Sequence, residues 1–182
     1  MMLHFVINVA KNYSMKNYLI TVVGATAIGK TALSIKLAQH FNAEIISCDS
    51  RQFYKEMTIG TAVPTAQELD AAKHHFIQNR SIFEDYSVGQ FEKDALSKLD
   101  TLFSKNNIVI MVGGSGLYTN AIIEGLDYFP DIDPEIRINL NERLKIEGLS
   151  SLQNQLKALD IESYNSIEIE NPHRLIRALE IC

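Results

Sequence analysis

The sequence predicts an α/β protein: a doubly wound, mostly parallel sheet of the P-loop NTPase-like kind, with a helical appendage. Three observations carry that expectation. Tyr18 to Val23 (YLITVV) and Ile108 to Val112 (IVIMV) are continuous apolar, β-rich runs, as strands covered on both faces require. Each run enters a glycine loop and then a helix-forming segment, the alternation that builds a parallel sheet. Beyond about residue 130 no strand pattern stands out, and capped helices take over.

Taken in order, the first strand leads into Gly24-Ala25-Thr26-Ala27-Ile28-Gly29-Lys30-Thr31, which matches G-x-x-x-x-G-K-[ST] in its proper place between strand and helix. Gly24 and Gly29 permit the turn that aims successive N–H groups inward, and the helix that follows adds its positive dipole end. A diphosphate or triphosphate fits, the basis for expecting nucleotide (ATP) or diphosphate binding. Lys30 is expected to neutralise the terminal phosphates, and the Thr31 hydroxyl to help hold Mg²⁺.

The helix from Thr31 to Phe41 presents Leu33, Ile35, Leu37, Ala38 and Phe41 as its apolar positions. Ala43 to Ser47 (AEIIS) reads as a second strand that delivers Cys48, Asp49 and Ser50 to the end of a sheet where ligands bind. Residues 51–64 lack a period and contain Gly60 and Pro64, a long loop of the functional kind. Thr65 to Lys73 resembles a short capped helix and His75 to Ile77 a short strand. Ser87 with Gln90 forms a capping box that opens a helix to about Ser104, with Phe91, Ala95, Leu96, Leu99, Leu102 and Phe103 on its apolar side. After IVIMV come Gly113-Gly114-Ser115-Gly116 and a helix from Leu117 that stops at Gly125. Asp133-Pro134 opens a helix to Glu147, Ser150 or Ser151 caps another to about Leu159, and Asn171-Pro172 opens a third. That last helix is still amphipathic at Cys182, so a longer chain is expected.

Size and composition set the limits. The 182 residues are 46% hydrophobic and 21% charged, enough for one principal core and a small appended unit. No apolar run approaches the ~20 residues a membrane span needs, so a soluble protein is expected. Residues 1–14 are apolar in flavour (Leu3, Phe5, Val6, Ile7, Val9) but lack the basic start and cleavage site of a secretory signal. Met15 reads as an alternative start. Cys48 and Cys182 form neither metal spacing nor a disulfide framework, which suits a reducing cytoplasm. Net charge is −5, so any RNA contact has to come from local basic patches or from further chain.

A P-loop fixes a phosphate site and leaves the reaction open. The strongest strand ends in Gly-Gly where a motor or signalling NTPase would carry an acid for Mg²⁺, which weakens that class. Asp49 is the acid at the sheet edge. It acts either as a general base on an acceptor beside the phosphates or as the cap of a turn with Ser50. Arg51 and Gln52 are solvated loop residues or readers of a planar polar acceptor such as an adenine edge. Arg174 and Arg177, at i and i+3, share a helix face and either grip phosphate or pair with carboxylates such as Glu180.

Four stretches together, GATAIGKTALS, CDSRQFYKEMTIGTA, VGGSGLYTNAIIEGL and NPHRLIRALEI, resemble the tRNA dimethylallyltransferases, also called tRNA isopentenyltransferases, from about Tyr18 to the last residue. The resemblance implies transfer of a dimethylallyl group from dimethylallyl diphosphate to N6 of the adenosine 3′ of the anticodon, with Mg²⁺ assisting and diphosphate leaving. It implies diphosphate on Gly24 to Thr31, with Lys30 and Thr31 catalytic and Asp49 as general base. It places Ser50, Arg51 and Gln52 in a stretch that contacts tRNA, and Ser115, often Thr in the family, near the adenosine. Arg137 and the run His173, Arg174, Leu175, Ile176 and Arg177 match tRNA contacts on an inserted helical domain. The implied organisation is an extension at 1–14, a catalytic core at 15–129 and a helical insertion at 130–182. The expected protein is a cytoplasmic monomer whose partners are dimethylallyl diphosphate and the tRNA anticodon stem-loop. The family's chains continue well beyond Cys182, and residues 1–14 have no counterpart in it. A small-molecule or nucleotide kinase, a prenyltransferase acting on free adenylate and a non-catalytic RNA-binding module are the competing readings.

Overall fold

The computed structural model describes residues 16–126 and 132–182, so the expected N-terminal extension, Met15 and the 129/130 boundary lie outside the described residues. The chain divides after Leu126 into two compact units. In the first, β1 (Tyr18–Val23), α1 (Lys30–Phe41), β2 (Ile45–Ser47), α2 (Ala66–Ala71), β3 (His74–His75), α3 (Val88–Phe103), β4 (Ile108–Gly113) and α4 (Gly116–Ile123) follow one another. The strands form a parallel sheet in the order β1-β4-β2-β3.

Alternation along each strand divides its apolar residues between two layers. Val22, Ile45, Ile110 and Val112 pack with Ile35 and Ala38 of α1 on one face. Leu19, Ile46, Val109 and Met111 pack with Phe91, Ala95, Leu99 and Leu102 of α3 on the other. Each of the larger side chains (Val, Leu, Ile, Met, Phe) contributes about 1.5–3 kcal/mol on burial, so the two layers fix the height at which the strands end. Leu96 was expected on the apolar side of α3 but is exposed, because the buried stripe 91/95/99/102 runs past it on the neighbouring face.

The 51–64 loop is pinned from below. Phe53 is fully buried, stacks on Phe91 at 5.1 Å and meets Tyr118 edge-on at 5.4 Å. The expected strand His75–Ile77 instead spans His74–His75. Phe76 turns into the left-handed region (φ 61°) and puts its ring against Phe91, exchanging ladder bonds for aromatic burial. Thr65 caps α2 and Ser87 caps α3, both with complete capping boxes.

The second unit is helical: α5 (Pro134–Glu147), α6 (Leu149–Leu159), α7 (Ile161–Ser166) and α8 (Pro172–Ile181). Its core is Leu140, Leu152, Leu156, Leu175, Ile176 and Leu179. Neither Ser150 nor Ser151 caps α6. Gly148 holds that position at φ 79°, and the Ser151 hydroxyl donates to Glu147 instead. α7, a short helix not expected from the sequence, is capped by Asp160, which accepts the Ser163 N–H. No helix among the described residues is long and apolar enough to cross a membrane.

Candidate active site

The Gly24–Thr31 loop is shaped by three positive backbone angles, Gly24 at 151°, Ala27 at 66° and Gly29 at 91°. Two glycines take theirs without strain, whereas Ala27 holds a conformation that L-residues seldom adopt. A Cβ on Gly24 would lie 2.6 Å from Ile28 Cδ1, so the loop folds tightly over itself. Gly29 is the N-cap of α1 and offers no side chain there, leaving the first-turn amides open to a ligand. Lys30 Nζ donates to Ala25 O at 2.7 Å, holding the ammonium over the loop.

Two strand ends bring the other residues in. Cys48 continues the β2 ladder, its N–H donating to Val112 O at 2.8 Å. Burial pushes its thiol up to about 11, so it stays protonated and inert. Asp49 then leaves the sheet half-buried. Its two oxygens have different surroundings. Oδ1 accepts the Arg51 N–H at 3.1 Å, the turn role. Oδ2 lies 3.9 Å from where a Cβ on Gly114 would stand, and Lys30 Nζ lies 4.0 Å from the same point. A carboxylate oxygen, a cation and the Gly24 carbonyl at 3.7 Å therefore border the space that Gly114 leaves open.

Ser115 is the N-cap of α4, yet its hydroxyl does not cap the helix. It accepts the Ser50 N–H at 3.2 Å and meets the Ser50 hydroxyl at 3.3 Å, tying the β2 and β4 loops together. Gln52 is half-buried, and its side chain is held by protein groups. Its amide donates to Thr61 O at 3.2 Å and Ala62 O at 2.8 Å, and its carbonyl accepts from Ser47 at 3.0 Å. It holds the 57–62 segment beside Asp49. Arg51 is exposed.

A cavity of about 290 Å³ opens among these parts, lined by Thr26, Lys30, Thr31, Asp49 and Gln52. Its wall also includes Glu68 and His74, which the sequence reading left out of the site. Glu68 carried a signal in its capping box with Thr65; His74 carried none. Thr31, half-buried at the first turn of α1, is a hard hydroxyl donor. Among the described residues no cluster of three His, Cys, Asp or Glu side chains has metal-binding geometry. A lone hydroxyl beside a phosphate loop suits an ion that takes most of its ligands from phosphate and water, as Mg²⁺ does.

On the helical unit, Arg137 and Arg177 both hold the buried carboxylate of Glu180, Arg137 through Nε and NH2 and Arg177 through NH1 at 3.0 Å. Arg174 pairs with Glu168 at 3.4 Å. Leu175 and Ile176, expected among the tRNA contacts, are instead buried core residues, because the α8 stripe 175/176/179 faces α5 and α6. His173, Arg174 and Arg177 line an open cavity of about 660 Å³.

The IPP transferase family profile matches residues 52–182. Over 168 residues the chain is 64% identical to the tRNA dimethylallyltransferase of Christiangramia forsetii, covering 92% of this chain and 56% of the relative. Over 171 residues it is 60% identical to that of Flavobacterium johnsoniae, covering 91% and 55%. Among solved structures it resembles the full-length tRNA isopentenylpyrophosphate transferase of Bacillus halodurans (37% identity, TM-score 0.59, covering 90% of this chain and 54% of that one). It also resembles a eukaryotic dimethylallyltransferase acting on tRNA (26% identity, TM-score 0.75, covering 90% and 40%). The chain spans about half the length of the curated relatives it matches.

Proposed function

This chain belongs to the IPP transferase family, and from that premise we propose that it carries the P-loop catalytic half of a tRNA dimethylallyltransferase. The reaction moves the dimethylallyl group of dimethylallyl diphosphate to N6 of the adenosine 3′ of the anticodon and releases diphosphate. One observation supports it most: Asp49 Oδ2 and Lys30 Nζ both border the space beside Gly114, a base and a cation within about 4 Å of one point.

In this reading the loop amides from Gly24 to Thr31 receive the diphosphate. As the allylic C1–O bond breaks, the electron pair stays on the leaving oxygen, and Lys30 with the α1 amides stabilises the charge that collects there. The Thr31 hydroxyl would hold Mg²⁺, which would supply further positive charge to the diphosphate. The adenosine N6 attacks C1, and Asp49 Oδ2 accepts the proton the amine loses. The base has to leave its stack to reach the gap, at a cost of a few kcal/mol that contacts from Ser50, Arg51 and Ser115 offset. The exposed side of α8, with His173 and Arg174, is proposed to face the anticodon stem-loop. The protein acts in the cytoplasm as a monomer, on a P-loop NTPase-like core into which the helical unit is inserted.

The test is mass spectrometry of tRNA nucleosides from a host lacking its own prenyltransferase, supplied with the complete gene. N6-dimethylallyladenosine is expected; its absence with soluble protein present would sink the proposal. Lys30→Ala is expected to weaken dimethylallyl diphosphate binding by about 10–100-fold, the worth of one charge-assisted hydrogen bond. An unchanged dissociation constant in a calorimetric titration would remove Lys30 from the phosphate site.

A further inference from the structure

One polar atom in the cavity wall has no role in the chemistry above. His74 Nδ1 lies 2.7 Å from Ala72 O. A carbonyl only accepts, so Nδ1 carries the proton and Nε2 is left with a lone pair. Nε2 is buried and has no hydrogen-bond partner among the described residues. The ring nevertheless lines the same cavity as Lys30, Thr31 and Asp49. β3 places it there, because His74 pairs in register with Ile45, on the face of the sheet that α1 covers.

A buried acceptor that no protein group satisfies, at the wall of a cavity, is open to a ligand placed there. We propose that His74 is a ligand of the diphosphate, its ring taking up one proton from solvent as the anion enters and donating Nε2–H to a diphosphate oxygen. This deepens the function proposed above and rests on it.

The proton is required by the chemistry: a neutral Nε2 lone pair facing a phosphate oxygen is repulsive, whereas Nε2–H facing it is attractive. In the free protein burial holds the ring below the ordinary histidine value, with His75 adding to that and Glu68 opposing it. Lys30 and Asp49 also line the cavity, and Lys73 precedes His74 in the chain. A multivalent anion among these groups favours the imidazolium. The sign follows: the bound ring's pKa lies above the free ring's, so affinity is greatest below the free value and falls as pH rises toward the bound value.

The experiment is nitrogen-15 NMR of the histidine rings in the intact chain, titrated with inorganic diphosphate and Mg²⁺ while phosphorus-31 signals report binding. His74→Gln assigns the resonance. At neutral pH the free ring is expected as the neutral Nδ1–H tautomer, and saturation is expected to convert it to the doubly protonated form. Wild-type affinity is expected to fall about tenfold between mildly acidic and mildly alkaline pH, equivalent to 1.4 kcal/mol. His74→Gln keeps an amide donor without a titrating proton, and its pH profile is expected to be flatter. Diphosphate bound while the His74 ring stays neutral overturns the assignment and leaves the phosphate site standing. No diphosphate binding at all by the wild-type chain overturns both.

Discussion

Replacing Asp49 with Asn is expected to slow dimethylallyl transfer by about 10²–10⁴-fold, the usual contribution of a positioned general base, while diphosphate binding is almost unchanged. The two oxygens of the carboxylate make this a clean substitution. Oδ1 accepts the Arg51 N–H and shapes the turn, a bond that an amide oxygen can keep. Oδ2, beside the Gly114 gap, is the one that would take the proton from N6, and an amide nitrogen has no lone pair for it. The phosphate loop belongs to a different strand end and does not depend on this side chain. Single-turnover rates with saturating tRNA and donor, set beside a calorimetric diphosphate titration, separate the two effects. A variant that transfers at the wild-type rate would remove Asp49 from its role. A variant that also loses diphosphate would show that the carboxylate instead holds up the pocket.

Much of the fold was legible because the strongest local signals agreed with the tertiary packing. β1 and α5 have the bounds that the apolar run and the Asp-Pro cap imply, and β4 runs one residue past its apolar stretch to Gly113. The capping boxes at Thr65 and Ser87 form as their spacing requires. What the sequence did not show depends on contacts made at a distance. Phe76 leaves the strand period because an aromatic cluster offers its ring more than a third pair of ladder bonds would. Gln52 looked like a ligand reader by residue type, but Thr61 and Ala62 carbonyls nine and ten residues away take its amide protons. Glu68 and His74 reach the cavity because α2 packs on α1 and β3 pairs with β2, which no window of sequence around either residue encodes. In the helical unit, two of the three arginines assigned to RNA, Arg137 and Arg177, share the buried Glu180 carboxylate, and the Arg137 pair helps to hold α5 against α8.

The sequence Gly113-Gly114-Ser115-Gly116 invites one explanation for all its glycines, and the structure gives them different ones. Gly113 ends β4 beneath Cys48: a Cβ there would lie 2.5 Å from Cys48 Sγ and 2.7 Å from the Cys48 backbone carbon. The second contact is with main chain, which no rotamer change relieves. Gly113→Ala therefore has to move β2 away from β4 at the point where Asp49 leaves the sheet, and it is expected to destabilise the chain by about 1–3 kcal/mol or more, the cost of overpacking a filled core. Because the displaced backbone carries Asp49, transfer is expected to fall further than the lost stability explains, at temperatures where the variant remains folded. Gly116 opens α4 with nothing within 4 Å of its would-be Cβ. Gly116→Ala is expected to leave the fold intact and to raise stability by about 0.4–1 kcal/mol through the unfolded chain's lost freedom. Thermal unfolding of the two variants beside wild type decides the matter. Equal stabilities would mean that the strand ends yield freely, and the close β2–β4 approach would then no longer account for how Asp49 is held at the Gly114 gap.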